Sequence, residues 1–111
     1  MAGKVQEACL GIERRQITEL KSFAAPPQAV KDVCIALSVL CADNMKSDWA
    51  TARKTLGSFH RLISAFDVNN VDPERKQIAK ELIAGLSEDD VKKTNVVAVV
   101  IFKFVQAVCT E

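Results

Sequence analysis

The chain has 111 residues, 49% of them hydrophobic, which suits one small domain with a modest core. Fifteen Lys and Arg stand against 14 Asp and Glu, so the net charge of +1 excludes the strongly basic balance of a dedicated nucleic-acid binder. No run of about 18 apolar residues offers a membrane span, and Met1 to Val5 lack the apolar centre of a secretory leader, so a cytosolic compartment is expected.

Four glycines and three prolines interrupt long runs of good helix formers, and apolar residues recur mostly at three and four positions. An all-α chain is expected. The first helix is predicted over about Lys4 to Phe23, with Val5, Cys9 and Ile12 on one stripe and Ile17 and Leu20 on another. The step from Ile12 to Ile17 interrupts the heptad, and so charged a helix needs a partner to be stable. Pro26 and Pro27 then force a break and open the next helix, about Gln28 to Cys41. Its Val30, Val33, Cys34, Leu37, Leu40 and Cys41 form a broad face for burial.

Asp48 is placed to cap a short helix holding Trp49, Arg53 and Leu56, which Gly57 ends, and Ser58 to cap another holding Phe59, Leu62, Ile63 and Phe66. Asp72-Pro73 signals a helix to about Ala84, stopped by Gly85, and Ser87-Glu88-Asp89-Asp90 opens one more. In the last segment, Val96 to Cys109, Val96, Val97, Val99, Val100 and Ile101 are β-branched and favour a strand. A lone strand would have no partner, so the segment is read as a helix buried on nearly all sides that emerges near Lys103 and Gln106.

Cys9, Cys34, Cys41 and Cys109 form no C-x-x-C pair and have only one histidine beside them, which leaves zinc and thioredoxin-like chemistry without ligands. Buried, reduced thiols are expected. The phosphate-binding pattern G-x-x-x-x-G-K-[ST] is absent, and Gly3, Gly11, Gly57 and Gly85 are too scattered to cradle a nucleotide. No catalytic constellation forms around His60, and no cofactor is expected.

The string Ile17-Thr18-Glu19-Leu20-Lys21-Ser22-Phe23, followed by Pro26-Pro27, Val30-Lys31 and an apolar helix, resembles the end of the outgoing stalk helix of dynein heavy chains. Asp48-Trp49 with a basic helix, then Phe59 and Phe66-Asp67, continue the family's order, and Val96 to Val108 stands where the returning stalk helix begins. The small-residue stretch of that helix is here Val97-Ala98-Val99-Val100, and its usual tryptophan is Phe104.

The resemblance implies a compact bundle of about six short helices at the end of an antiparallel two-helix coiled coil. Residues 1–25 would form the outgoing helix, 26–102 a microtubule-binding tip, and 103–111 the start of the returning helix, continuous with the last tip helix from about residue 96. It also implies that ATP is hydrolysed in a distant ring of the parent motor, so the chain itself is expected not to be an enzyme. The implied setting is the cytoplasm and cytoskeleton, extending to a cilium or flagellum axoneme, towards which Lys21-Ser22-Phe23 points.

A microtubule presents acid, so its reader needs exposed cations on a rigid face. Between Lys46 and Arg61 the charges are Lys46, Arg53, Lys54 and Arg61 against Asp48 alone, a local net of +3. By composition alone such a cluster reads first as a solvated helix face, and the resemblance turns the reading towards a tubulin contact. In the family, cations after the double proline and at the entry to the returning helix contact tubulin, and Lys31 and Lys93 stand in those places, with Lys92 and Arg61 nearby in sequence. Pro26 and Pro27 become the pivot between stalk and tip, and Trp49 is expected to anchor the core. Sliding of Val5 to Phe23 against Lys103 to Glu111 would set affinity through the register of the pair. Two other classes compete: a helical adaptor binding a protein partner, and a small enzyme using a thiol activated by His60.

Overall fold

The computed structural model describes residues 2–42 and 48–110. Among these the chain forms eight α-helices: α1 (Ala2–Leu10), α2 (Arg14–Lys21), α3 (Gln28–Cys41), α4 (Trp49–Leu56), α5 (Phe59–Ala65), α6 (Pro73–Ile83), α7 (Glu88–Thr94) and α8 (Val96–Thr110). The all-α expectation holds, and the six helices from α3 onward form the expected bundle.

The local start signals act as the sequence predicts. Asp48 accepts from the Thr51 N–H at 2.7 Å, Asp72 from Glu74 at 2.9 Å, and Ser87 from Asp90 at 3.2 Å, each holding a main-chain donor that a helix start leaves without a partner. Ser58 precedes α5 but makes no side-chain cap. Gly57 and Gly85 follow α4 and α6 without entering left-handed geometry. A methyl group on Gly57 would stand 3.1 Å from the Lys54 carbonyl, so the close approach of the chain, rather than its handedness, suits glycine there.

The first helix is not continuous, which corrects the Lys4 to Phe23 expectation. Gly11 ends α1, its N–H shared between Glu7 and Ala8, and Glu13 starts α2 with its N–H given to the Gln16 side chain at 2.9 Å. A glycine costs a helix interior about 1 kcal/mol relative to alanine. Here the cap at Glu13 and the insertion of Ile12 into the core, 7% exposed, favour the break. The interrupted stripe in the sequence is the trace of this turn.

α3 and α8 are the central elements. α3 packs most extensively on α6 and also on α4 and α8, while α8 packs on α7, α1, α3 and α6. Phe59, Phe102, Phe104, Leu20, Leu37 and Leu56 are fully buried, each contributing roughly 1.5–3 kcal/mol by leaving water. The β-branched run lies in α8 because that helix is enclosed: Lys103 and Gln106 face solvent on its otherwise buried middle, with Val96 and Thr110 exposed at its ends. Phe104 meets Phe66 edge-on at 5.5 Å.

The first and last helices pack on one another. The Cys9 thiol lies 3.8 Å from the Val100 carbonyl, and Gln6 Nε2 donates to the carbonyls of Ile63 and Phe66, the latter residue packed edge-on against Phe104. Advancing along α1 therefore means retreating along α8, an antiparallel pair. α2 sits between α4 and α8 with smaller contacts to each, so the close pairing falls on α1. Overall dimensions of 32 × 26 × 26 Å place both terminal helices on the body.

Candidate functional site

The candidate cations sit on four helices. Lys31 lies one turn into α3 and is half-buried. Arg53 and Lys54 occupy the last turn of α4, Arg61 the first turn of α5, and Lys92 and Lys93 the last turn of α7; all five are exposed. Lys46 lies outside the described residues. Lys54 and Arg61 line one shallow groove of about 270 Å³ with Thr51, Ser58 and Leu62. Lys31 and Lys93 belong to helices that pack on one another.

The electrostatics of these positions are open. Lys31, Arg53, Lys54, Arg61, Lys92 and Lys93 make no ion pair and no side-chain hydrogen bond among the described residues. Arg15, Arg75 and Lys103, by contrast, pair with Glu13, Asp72 and Glu88 at 2.6, 3.7 and 3.8 Å. The start of α3 carries neither a side-chain cap nor an acid in its first turn, so its dipole adds positive potential behind Lys31. Asp32, bonded to Gln28 Nε2 at 2.7 Å, offsets part of it. The acids Glu88, Asp89 and Asp90 fill the first turn of α7, with Lys92 and Lys93 in its last, which suits the dipole at both ends.

Pro26 and Pro27, expected to be a pivot, stand where α3 begins. Pro27 is the residue before the first turn, and its carbonyl accepts the Lys31 N–H at 3.0 Å. Trp49 is half-buried against the core, and its indole N–H donates to the Phe23 carbonyl at 2.9 Å. It thus anchors α4 to the strand of chain that leads into the double proline, a more specific role than core filling.

Three residues hold helix ends and turns in ways the sequence did not announce. Arg75 reaches from α6 to the end of α3, donating to the carbonyls of Val39 at 3.5 Å and of Ala42. A cation at a helix C-terminus satisfies orphan carbonyls and the negative end of the dipole. Asn95 accepts from Val97 and Ala98 at 2.8 and 2.9 Å and so caps α8, a signal legible in an asparagine before an apolar run. His60 is half-buried and donates through Nε2 to the Ile12 carbonyl.

The thiols do not fit an activated nucleophile. Burial pushes Cys9 and Cys34 up to about 12, and burial with a contribution from Cys9 does the same to Cys41. Cys109 is also raised by burial, partly countered by Lys76 and Lys80. A catalytic thiol needs the opposite shift.

Residues 2–83 match the family described as the microtubule-binding stalk of dynein motor. The chain is 34% identical over 80 residues to the cytoplasmic dynein heavy chain of Caenorhabditis elegans, which covers 69% of this chain and 2% of that protein. It is 31% identical over 85 residues to a ciliary dynein beta chain of Heliocidaris crassispina, 70% of this chain and 2% of that one. With human dynein axonemal heavy chain 6 it shares 33% over 63 residues, 55% of this chain and 2% of the other. The helical bundle and its match over most of the chain define a stalk-tip domain. The chain belongs to the microtubule-binding stalk family of dynein heavy chains. It spans about 2% of the length of these relatives, and the matched region is the stalk rather than a catalytic domain.

Proposed function

We propose that this chain binds the microtubule surface through Lys31 and Lys93, supported by Lys92, Arg61, Arg53, Lys54 and Lys46, and that stalk register controls the affinity. One observation carries the reading: the candidate cations within the described residues are unpaired, on a domain whose family is the dynein stalk tip. Cations already engaged by neighbouring acids would have to surrender those contacts to bind tubulin. These have none to surrender. Lys31, Arg53, Lys54 and Arg61 lie inside the matched span, and Lys92 and Lys93 beyond it.

In this reading residues 1–25 and 103–111 are the stalk ends, 26–102 the tip, and Pro26-Pro27 the pivot. Hydrolysis belongs to the ring of the parent motor, and no cofactor, nucleic acid or membrane is needed. The relatives' names include cytoplasmic, ciliary and axonemal dyneins, which supports a cytoskeletal location and leaves an axoneme within it. The adaptor alternative has no comparable support.

Co-sedimentation with microtubules over a salt series tests the proposal. Exposed charge pairs are screened over roughly 8 Å at physiological ionic strength, so binding should be modest and fall steeply with salt. Charge reversal at Lys31 or Lys93 should weaken it while the thermal melt stays nearly unchanged. Undiminished sedimentation at high salt, or by both reversed variants, would refute the assignment.

A further inference from the structure

A cleft of about 370 Å³ runs between α2 and the turn from α4 into α5, at the small end of the roughly 300–1,000 Å³ of ligand sites. One wall is a single stripe of α2: Arg14, Ile17, Thr18 and Lys21 follow at three, four and seven positions and so share a face. The other wall brings Ser58, His60 and Arg61, with Leu56 and Phe59 beneath. Among the described residues the lining contains no carboxylate. Arg14, Lys21 and Arg61 make neither an ion pair nor a side-chain hydrogen bond among the described residues, whereas the adjacent Arg15 is held by Glu13 at 2.6 Å. Three unpaired cations, two hydroxyls and a concave shape concentrate positive potential in one place on a protein whose net charge is +1.

We propose that this cleft binds a short, extended acidic peptide of a protein partner. Arg14 and Arg61 would each take a carboxylate, Lys21 would supply a further point charge, and Ser58 would donate a hydroxyl hydrogen bond; the Thr18 hydroxyl is already given to the Arg14 carbonyl at 3.0 Å. The spread of cations along two turns of α2 and across to α5 suits successive carboxylates on a chain better than one compact anion. Guanidinium groups favour planar carboxylates through paired hydrogen bonds. Arg14 and Lys21 are outside the set of cations assigned above to the microtubule, and the inference stands on the cleft's own geometry.

The test needs no microtubule. The chain is titrated at low salt with a hexaglutamate peptide, a hexaglutamine peptide and inorganic phosphate, and its amide resonances are followed. Hexaglutamate should shift Thr18, Lys21, Gly57, Ser58 and Arg61, hexaglutamine should not, and phosphate should bind far more weakly. The double substitution Arg14→Ala with Arg61→Ala should lower hexaglutamate affinity about tenfold, the loss expected for two charge-assisted contacts, with the melt retained. Arg14→Lys with Arg61→Lys should restore part of the affinity. Shifts mapping to another face, an unaltered affinity in the alanine variant, or phosphate binding as tightly as the peptide would each overturn the proposal. Because microtubule sedimentation is measured separately, failure here leaves the stalk-tip reading to stand or fall on Lys31 and Lys93.

Discussion

His60 Nε2 donates to the main-chain oxygen of Ile12, across 48 residues of sequence, at the point where α1 gives way to α2. In an unbroken helix that oxygen would accept from Gln16; here the Gln16 N–H goes to Glu13 and the imidazole takes its place. The turn between the two helices is therefore held by α5. His60→Ala should cost about 1–3 kcal/mol, the usual penalty for an orphaned polar group. Hydrogen exchange should accelerate at Gly11 and Ile12 ahead of α3. Unchanged exchange there would show that the cap at Glu13 alone maintains the break.

Ser38 and Thr55 are the buried polar pair of the α3–α4 contact, their hydroxyls 2.9 Å apart. Thr55 also donates to the Thr51 carbonyl at 3.2 Å, so it keeps a partner if Ser38 is removed. Ser38→Ala should cost about 1 kcal/mol and Thr55→Val, which orphans Ser38, about 1–3. The double variant should cost less than the sum. Additive losses in a denaturant series would show that the two hydroxyls do not act as a pair.

Trp49 offers a way to separate packing from tethering. Trp49→Ala should lower stability by about 3 kcal/mol through loss of the ring. Trp49→Phe, which keeps a six-membered ring and removes the N–H bond to Phe23 with part of the indole, should lose less, about 1–2 kcal/mol. If the phenylalanine variant melts with the alanine one, the tether rather than the packing dominates.

Much of this architecture is visible in short stretches of sequence. Asp48, Asp72-Pro73 and Ser87 act within their own helix starts, so local chemistry suffices to place α4, α6 and α7. The Val96–Ile101 run was harder, because its strand propensity is overridden by enclosure, yet Lys103 and Gln106 mark its only wet side between the helix ends. Arg75 on Val39 and Ala42, and His60 on Ile12, join residues more than thirty positions apart and leave no local signature. The basic stripe of α2 was legible in the spacing of Arg14 and Lys21; what sequence could not supply was Arg61 across from it.

The buried thiols predict an alkaline limit. With Cys9, Cys34 and Cys41 held at about 12 in the fold, the unfolded chain releases their protons first, near the ordinary thiol value of about 8.5. Their contribution is fully present below that value and is lost as pH rises towards 12. Chemical denaturation should show stability falling from about pH 9 upward, and Cys34→Ala should flatten the slope even as it lowers the plateau. A slope unchanged by that substitution would contradict the assignment.

Register control can be examined by lengthening both stalk helices by several heptads and locking them with disulfides in alternative alignments. Microtubule affinity should differ between alignments by more than the factor of about two that one exposed ion pair accounts for. Equal affinity in every alignment would rule out sliding as the control.

Asn95 is the whole of the joint between α7 and α8: its main chain ends one helix and its carboxamide starts the other. A joint of one residue, capped on the side of the longer helix, has little slack. α8, at 15 residues, is a rod roughly 22 Å long, and α7 is bolted to its near end and braced by the Glu88–Lys103 pair at 3.8 Å. A tilt of that rod would carry α7 with it. A five-degree tilt, over about 22 Å, displaces the opposite end by about 2 Å, comparable to the reach of a hydrogen bond. Lys92 and Lys93 would then ride on the short arm of a crank, moved by leverage from a helix they do not belong to.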